Sequence, residues 1–295
     1  MQENTMLLQM EHITKRFPGS VALSDAYIHV TRGEVHALIG ENGAGKSTLI
    51  KVLTGVYHYD EGSILFDGQP IAFQSPQQAQ REGISTIYQE INLIPFRSVT
   101  ENIFLGRELF RWGLLDWRKM NIEASALLER LHLSLDVTKP LNSYNIATQQ
   151  MVAIARAISF KSKLVIMDEP TSSLSDDEVA TLFTVIRQLK ADGVATMFVS
   201  HRLDELYVIC DGITILRDGA TVDERPINTI TRLELVAKML GKDLGSVQQS
   251  GQTSFDVSRH HAGQQVLLEA AGLREGRKLQ NASLKVHAGE IVGLA

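Results

Sequence analysis

Only one cysteine, Cys210, stands among the 295 residues, so the chain can form neither an internal disulfide nor a cysteine-based metal cluster. That scarcity suits a reducing compartment, and Cys210 reads most simply as a small core residue. Basic charge is also in short supply. Lys and Arg number 29 against 34 Asp and Glu, a formal net charge of −5 that leaves no electrostatic footprint for nucleic acid. No apolar stretch approaches the roughly 20 residues needed to cross a bilayer, and Met1 to Thr5 lacks the basic and apolar regions of a signal peptide. Any service to a membrane would be performed from the side. What is present, 44% hydrophobic and 21% charged residues, suffices for one large soluble core with something left over.

The most informative stretch is Gly40-Glu41-Asn42-Gly43-Ala44-Gly45-Lys46-Ser47-Thr48, which fits the phosphate-binding pattern GxxxxGK[ST]. Val35 to Ile39 before it is short and apolar like a buried strand, and Leu49 to Leu53 continues after it as a helix. Glycines let such a loop turn its backbone N–H groups toward phosphate oxygens, and the helix adds the positive end of its dipole. Lys46 is expected to reach the β- and γ-phosphates of a nucleotide, and Ser47 to place its hydroxyl on Mg²⁺, with Thr48 one residue along the first turn.

In chain order, Leu7 to Val30 reads as strands broken at Phe17-Pro18-Gly19, and an aromatic at Phe17 suits either an adenine or the core. Ser63 to Phe66 and Pro70 to Phe73 flank Asp67-Gly68 as a hairpin. Ile84 to Glu90 reads as a strand with a polar end. Val99 to about Ile158 is mostly helical, and Ile122, Leu127, Leu128 and Leu131 are expected on one apolar face. Leu164 to Met167 is a buried strand ending on Asp168-Glu169. One of these carboxylates suits a metal and its neighbour an attacking water, the plain alternative being a solvated strand end. A helix carrying Val179, Leu182, Phe183, Ile186 and Leu189 follows, then a strand from Val194 to Val199 that ends on Ser200-His201. In a parallel sheet the tips after Ile39, Met167 and Val199 gather at one edge, which puts His201 within reach of a γ-phosphate. A second hairpin around Asp218-Gly219 and a helix from about Thr231 to Leu240, stopped by Gly241, close the domain.

The division expected is a domain over 1–245 with a helical subdomain at about 96–160, a polar linker over 246–263, and the start of a second copy over 264–295. The repeat rests on Gly33 to Ile39 matching Gly289 to Ala295 at an offset of 256, with Leu7-Leu8 pairing loosely with Leu267-Leu268. It predicts that the chain is a piece of a longer one.

These motifs together resemble the ATP-binding cassette (ABC) ATPases, and among them the tandem-cassette subunits of bacterial importers of ribose, galactose, xylose and galactofuranose. The resemblance covers about residues 7–245. It is carried by the phosphate loop, Tyr88-Gln89-Glu90, Met167-Asp168-Glu169-Pro170-Thr171-Ser172 and Val199-Ser200-His201. The fold it implies is α/β: a P-loop nucleotide-binding domain with a mainly parallel core sheet, an antiparallel β subdomain and an inserted helical subdomain. Its implied cofactors are ATP and Mg²⁺. Phe17 would stack on adenine, Gln89 would sense Mg²⁺ and nucleotide, Asp168 would help hold the metal, Glu169 would be the catalytic base and His201 the γ-phosphate contact. The implied partners are transmembrane permease subunits, a periplasmic sugar-binding protein indirectly, and a second cassette, at the cytoplasmic face of the bacterial inner membrane. A soluble ATP clamp without transport is the other reading.

The chain departs from the family pattern twice. Where the signature Leu-Ser-Gly-Gly-Gln should stand, it reads Tyr144-Asn145-Ile146-Ala147-Thr148, and Ser175 replaces a common Asp. The Ala147 methyl is expected to crowd the approach to phosphate on an opposing cassette, leaving that second site weak and one site competent.

Overall fold

The computed structural model describes residues 5–88, 93–131, 133–160, 162–242, 265–276, 279–290 and 292. The expected sensor Gln89 and the linker over 246–263 lie outside the described residues. The chain divides into two units, Met1–Gln248 and Gln249–Ala295.

The first unit starts with β1 (Met6–Phe17) and β2 (Ser20–Thr31), an antiparallel hairpin, followed by β3 (Val35–Ile39) and α1 (Lys46–Leu53). Next come β4 (Glu61–Phe66), β5 (Gln69–Pro70), α2 (Pro76–Glu82) and β6 (Ile84–Ile87). The helical region holds α3 (Val99–Phe104), a small hairpin of β7 (Phe110–Arg111) and β8 (Leu114–Leu115), α4 (Trp117–Arg130) and α5 (Ile146–Ile158). The unit is completed by β9 (Leu164–Asp168), α6 (Asp176–Ala191), β10 (Ala195–Val199), α7 (Leu203–Ile209), β11 (Gly212–Arg217), β12 (Ala220–Pro226) and α8 (Arg232–Leu240).

Six strands form the central sheet in the order β12-β11-β3-β10-β9-β6, parallel throughout except for β12. The central strands β3, β9, β10 and β11 are buried on both faces, which is why they read as apolar runs instead of alternating, while the edge strand β12 is only partly buried. Ala37, Met167, Phe198 and Ile215 face the helices α3 to α8, while Leu38, Ile166, Met197 and Leu216 face α1 and a second, antiparallel sheet ordered β2-β1-β4-β5. Sequence signals fix most helix ends. Ser98 and Glu101 form a reciprocal cap on α3, Thr231 caps α8, and Gly241 ends it in the left-handed conformation.

Two expectations need correction. The hairpin at Asp67-Gly68 forms, but β5 stops at Pro70: Ile71 N still donates to Ile64 O at 2.9 Å, and the chain then turns into α2, capped by Ser75. Ile122 is not on the buried face of its helix. It is 59% exposed, and the face is built by Met120, Ala124 and Leu128 at a spacing of four, with Leu131 just beyond.

A polar chain joins the two sheets. His29 on β2 contacts Glu224 of β12 through Nδ1 at 2.6 Å and Glu11 of β1 through Nε2 at 2.7 Å, and its backbone N–H donates to Glu224. Glu224 also accepts from Thr214, which contacts His36, whose other nitrogen contacts Glu34. With a carboxylate on each ring nitrogen, His29 is held in its cationic form. Burial disfavours that charge, but hydrogen bonds to Glu11 and Glu224 outweigh it and raise the pKa above its ordinary value. A raised folded-state pKa contributes stability that is fully present below the unfolded value of about 6.5 and is lost as pH climbs through the folded value. Since His29 is partly exposed, the expected effect is modest: His29→Gln should cost about 1 kcal/mol at pH 6 and less at pH 9, as read by urea denaturation at each pH. An equal cost at both would exclude the cationic role.

Within the second unit, β13 (Val266–Glu275) and β14 (Leu279–His287) form one antiparallel hairpin. Its internal geometry reproduces that of β1 and β2. The pair Met10 and Ile28 corresponds to Ala270 and Leu284, and each hairpin slips register just after it. The left-handed residues His12 and Asp25 recur as Gly272 and Asn281. Glu34 accepting from Thr31 N at 2.7 Å recurs as Glu290 accepting from His287 N at 2.7 Å.

Candidate nucleotide site

The loop after β3 turns back on itself before α1 begins. Ala44 N donates to Glu41 O at 3.1 Å, and Ala44 O accepts from Gly219 N at 3.1 Å, which ties the loop to the β11–β12 turn. Gly40 has no room for a side chain: a Cβ there would stand 2.3 Å from the Leu216 carbonyl oxygen. Gly45 precedes α1 at φ 104°, a conformation glycine adopts without strain, and no side chain caps the helix. The first-turn N–H groups of α1 are therefore left to whatever enters the cleft, the general condition for anion binding at a helix start.

The cleft measures about 300 Å³ and is lined by Ala22, Asn42, Gly43, Gly45, Lys46, Ser47, Thr48, Asp168 and Glu169. All but Ala22 were expected from sequence. Ala22 comes from β2, distant in sequence and without a distinguishing side chain, so no local signal could have found it. Lys46 Nζ donates to Gly40 O at 2.7 Å and Glu41 O at 3.0 Å, holding the loop closed on itself. Burial lowers its pKa, and the nearby Glu169 and Asp168 carboxylates act the other way.

Asp168 is the last residue of β9, and its pKa is raised by burial and by Glu169, with Lys46 and Lys51 opposing. An extra positive charge beside it would relieve that cost. Glu169 sits at φ 49°, its N–H donating to Val199 O at 2.9 Å, so a left-handed backbone turns the carboxylate off the strand line. His201 Nδ1 lies 2.9 Å from Glu169 Oε1. Beneath His201, the buried Glu205 accepts from Thr171 at 2.8 Å and Ser200 at 3.2 Å and pairs with Arg202, which braces the tips of β9 and β10 together. The sequence singled out neither Glu205 nor Thr171 as part of this brace, because their meeting depends on the sheet order.

Of the expected site residues, Gly40, Ala44, His201 and Phe17 are not in the cleft lining. Phe17, at the end of β1, is half-buried and meets Tyr57 edge-on with centroids 5.1 Å apart. Ala147, in the departing segment, is 8% exposed and lines a separate pocket with Leu133, Met151 and Leu174. The outward departure in that segment is Ile146, 55% exposed, while Asn145 caps α5 by accepting from Thr148 N at 2.9 Å.

Oxygen donors such as the Ser47 hydroxyl and the Asp168 carboxylate fit a hard cation such as Mg²⁺. Among the described residues there is no cluster of three or more acidic, histidine or cysteine side chains that could hold a metal unaided. Phosphate oxygens and water would have to complete the shell, as is usual for this ion.

A strand tip, a phosphate loop and paired carboxylates in this order define a P-loop nucleotide site, and the chain belongs to the ABC transporter family, whose sequence pattern matches residues 23–172. Among its relatives it is 47% identical to a ribose import ATP-binding protein of Rubrobacter xylanophilus and 45% identical to the galactofuranose transporter ATP-binding protein of Escherichia coli K12. Each match takes in 98% of this chain and 56% or 57% of the relative, so the chain spans little more than half the length of those proteins. The crystal structure of the ADP conformation of MJ1267, an ATP-binding cassette of an ABC transporter, superposes with a TM-score of 0.70 at 26% identity, over 83% of this chain and 99% of that one.

Proposed function

We propose that the chain binds MgATP in the cleft between the Gly40 to Thr48 loop and the Asp168-Glu169 tip and hydrolyses it to drive sugar import through a membrane permease. The observation that carries this reading is the convergence of Lys46, Ser47, Asp168, Glu169 and His201 from three strand tips. Lys46 would exchange its two carbonyl contacts for β- and γ-phosphate oxygens. Ser47 and Asp168 would hold Mg²⁺, whose charge offsets that of the phosphates. Glu169 would take the proton of the attacking water, and His201, released from Glu169, would donate to the γ-phosphate. Gln89 is proposed as a further metal contact, and Phe17 as an adenine platform at the cleft's margin.

The remaining roles follow the relatives. The ribose and galactofuranose names favour a monosaccharide importer over a soluble ATP clamp, with permease subunits as direct partners and a periplasmic sugar-binding protein as an indirect one, at the cytoplasmic face of the inner membrane. Nucleic acid is not a partner in this reading. The reproduced hairpin of the second unit supports reading residues 264–295 as the start of a second cassette, after a first over 1–245 and a linker over 246–263. In such a pair the segment from Tyr144 to Thr148 would face the other nucleotide, and Ala147 in place of a glycine, with exposed Ile146 beside it, would weaken that site, leaving one competent.

Lys46→Ala tests the site. Losing the cation should weaken MgATP binding about a hundredfold, read by titration calorimetry, with only about 1 kcal/mol lost in stability from the two carbonyl contacts. Unaltered affinity would remove the phosphates from this loop.

A further inference from the structure

From Phe110 to Leu115 every residue of the β7–β8 hairpin is exposed, although four of the six are large and apolar. Trp112 occupies the tip at φ 58° and is 91% exposed, Leu114 is 75% and Phe110 66% exposed. The hairpin consists of two two-residue strands joined through Trp112 and Gly113. A soluble surface has no use for such a cluster unless something covers it.

The charges around it indicate what. The two nearest carboxylates are turned back onto the chain: Glu108 accepts from Gly106 N at 3.0 Å and Asp116 from Lys119 N at 3.0 Å, where it caps α4. Arg111 and Arg118 are exposed, and among the described residues neither pairs with a carboxylate. The face therefore presents an aromatic tip flanked by two exposed arginines without carboxylate partners among the described residues, on a chain whose overall charge is −5. Tryptophan is at its most favourable at the boundary between lipid headgroups and acyl chains, and arginine beside it reaches anionic phosphates while its stem stays in apolar surroundings.

We infer that the hairpin Phe110 to Leu115 is a lipid-contacting finger, inserting Trp112 into the headgroup layer of an anionic membrane while Arg111 and Arg118 engage lipid phosphates. This rests on the reading that the protein works at a membrane, but it assigns a contact to the bilayer itself in addition to any protein partner.

The chain has two tryptophans, Trp112 and Trp117, so Trp117→Phe leaves the tip as the sole indole reporter. With vesicles of equal parts phosphatidylglycerol and phosphatidylcholine, its emission should shift to the blue and the protein should sediment with the lipid. Phosphatidylcholine alone should give much less. Trp112→Ser in the native chain should lower partitioning about tenfold, and Arg111→Ser about fivefold on anionic vesicles only. MgATP binding is measured on every variant, and its retention shows that the fold and the nucleotide site are intact. A Trp112 spectrum that stays unshifted with both vesicle types, while MgATP binds normally, overturns the inference and leaves the finger to a protein partner. Binding that is indifferent to Arg111 and Arg118 overturns it as well, since the cations would then have no role.

Discussion

Glu169→Gln should lower ATP turnover about a thousandfold while leaving MgATP binding intact or tighter. The amide keeps an oxygen 2.9 Å from His201, so the contact between the strand tips survives, and only the ability to accept a proton is lost. Burial and the neighbouring Glu169 both raise the pKa of Asp168, and a neutral amide at 169 removes the second of these influences while leaving the carboxylate of Asp168 in place. Single-turnover assays with a parallel binding titration check both halves. Turnover within a few-fold of the native chain would remove Glu169 from the role of base. A joint loss of binding and turnover would instead mean that it is a ligand.

The second large effect is expected at Gly40. A methyl group there meets the Leu216 carbonyl oxygen at 2.3 Å and the Ala44 Cβ at 2.9 Å. Leu216 lies in β11, inside the central sheet, and that oxygen cannot retreat without disturbing the ladder to β12. The loop must shift instead, and it can do so only by giving up the backbone path that aims its N–H groups. Gly40→Ala should therefore cost about 3 kcal/mol in stability and abolish measurable MgATP binding. Gly43→Ala is the control for crowding, since a Cβ there meets nothing within 4 Å and only its φ of 89° opposes the change. Equal losses at the two positions, by denaturation and calorimetry, would show that backbone conformation and not close approach governs the loop.

Much of the site was legible in the sequence because its chemistry is written in contiguous words. Gly40 to Thr48, Asp168-Glu169 and Ser200-His201 each sit at the end of a short apolar run, and a parallel sheet brings such ends together whatever the rest of the chain does. The legible part of the fold has the same source: buried strands, hairpin glycines and helix caps are local signals. What could not be read were the contacts made by residues with nothing remarkable nearby in sequence. Ala22 reaches the cleft from β2, and Glu205 meets Thr171 and Ser200 only once β9 and β10 are neighbours. The replacement of a glycine by Ala147 is visible in sequence, whereas its low exposure depends on how α5 packs. Ile122 is a similar case, because the phase of α4 is set by the burial of Met120, Ala124 and Leu128, and that turns Ile122 outward.

The join between the two sheets bears on how the molecule opens. Tyr27 N donates to Thr221 Oγ1 at 2.9 Å and that hydroxyl donates to Tyr27 O at 2.7 Å, while His29 N donates to Glu224. Side chains of β12 thus take the place of a backbone ladder along β2, and the antiparallel sheet has no seam at which to peel away from the parallel one. In hydrogen-exchange terms, the amides of Tyr27 and His29 should report the same opening free energy as the amides of β3, so that the wall carrying Ala22 and the phosphate loop unfold as one cooperative unit.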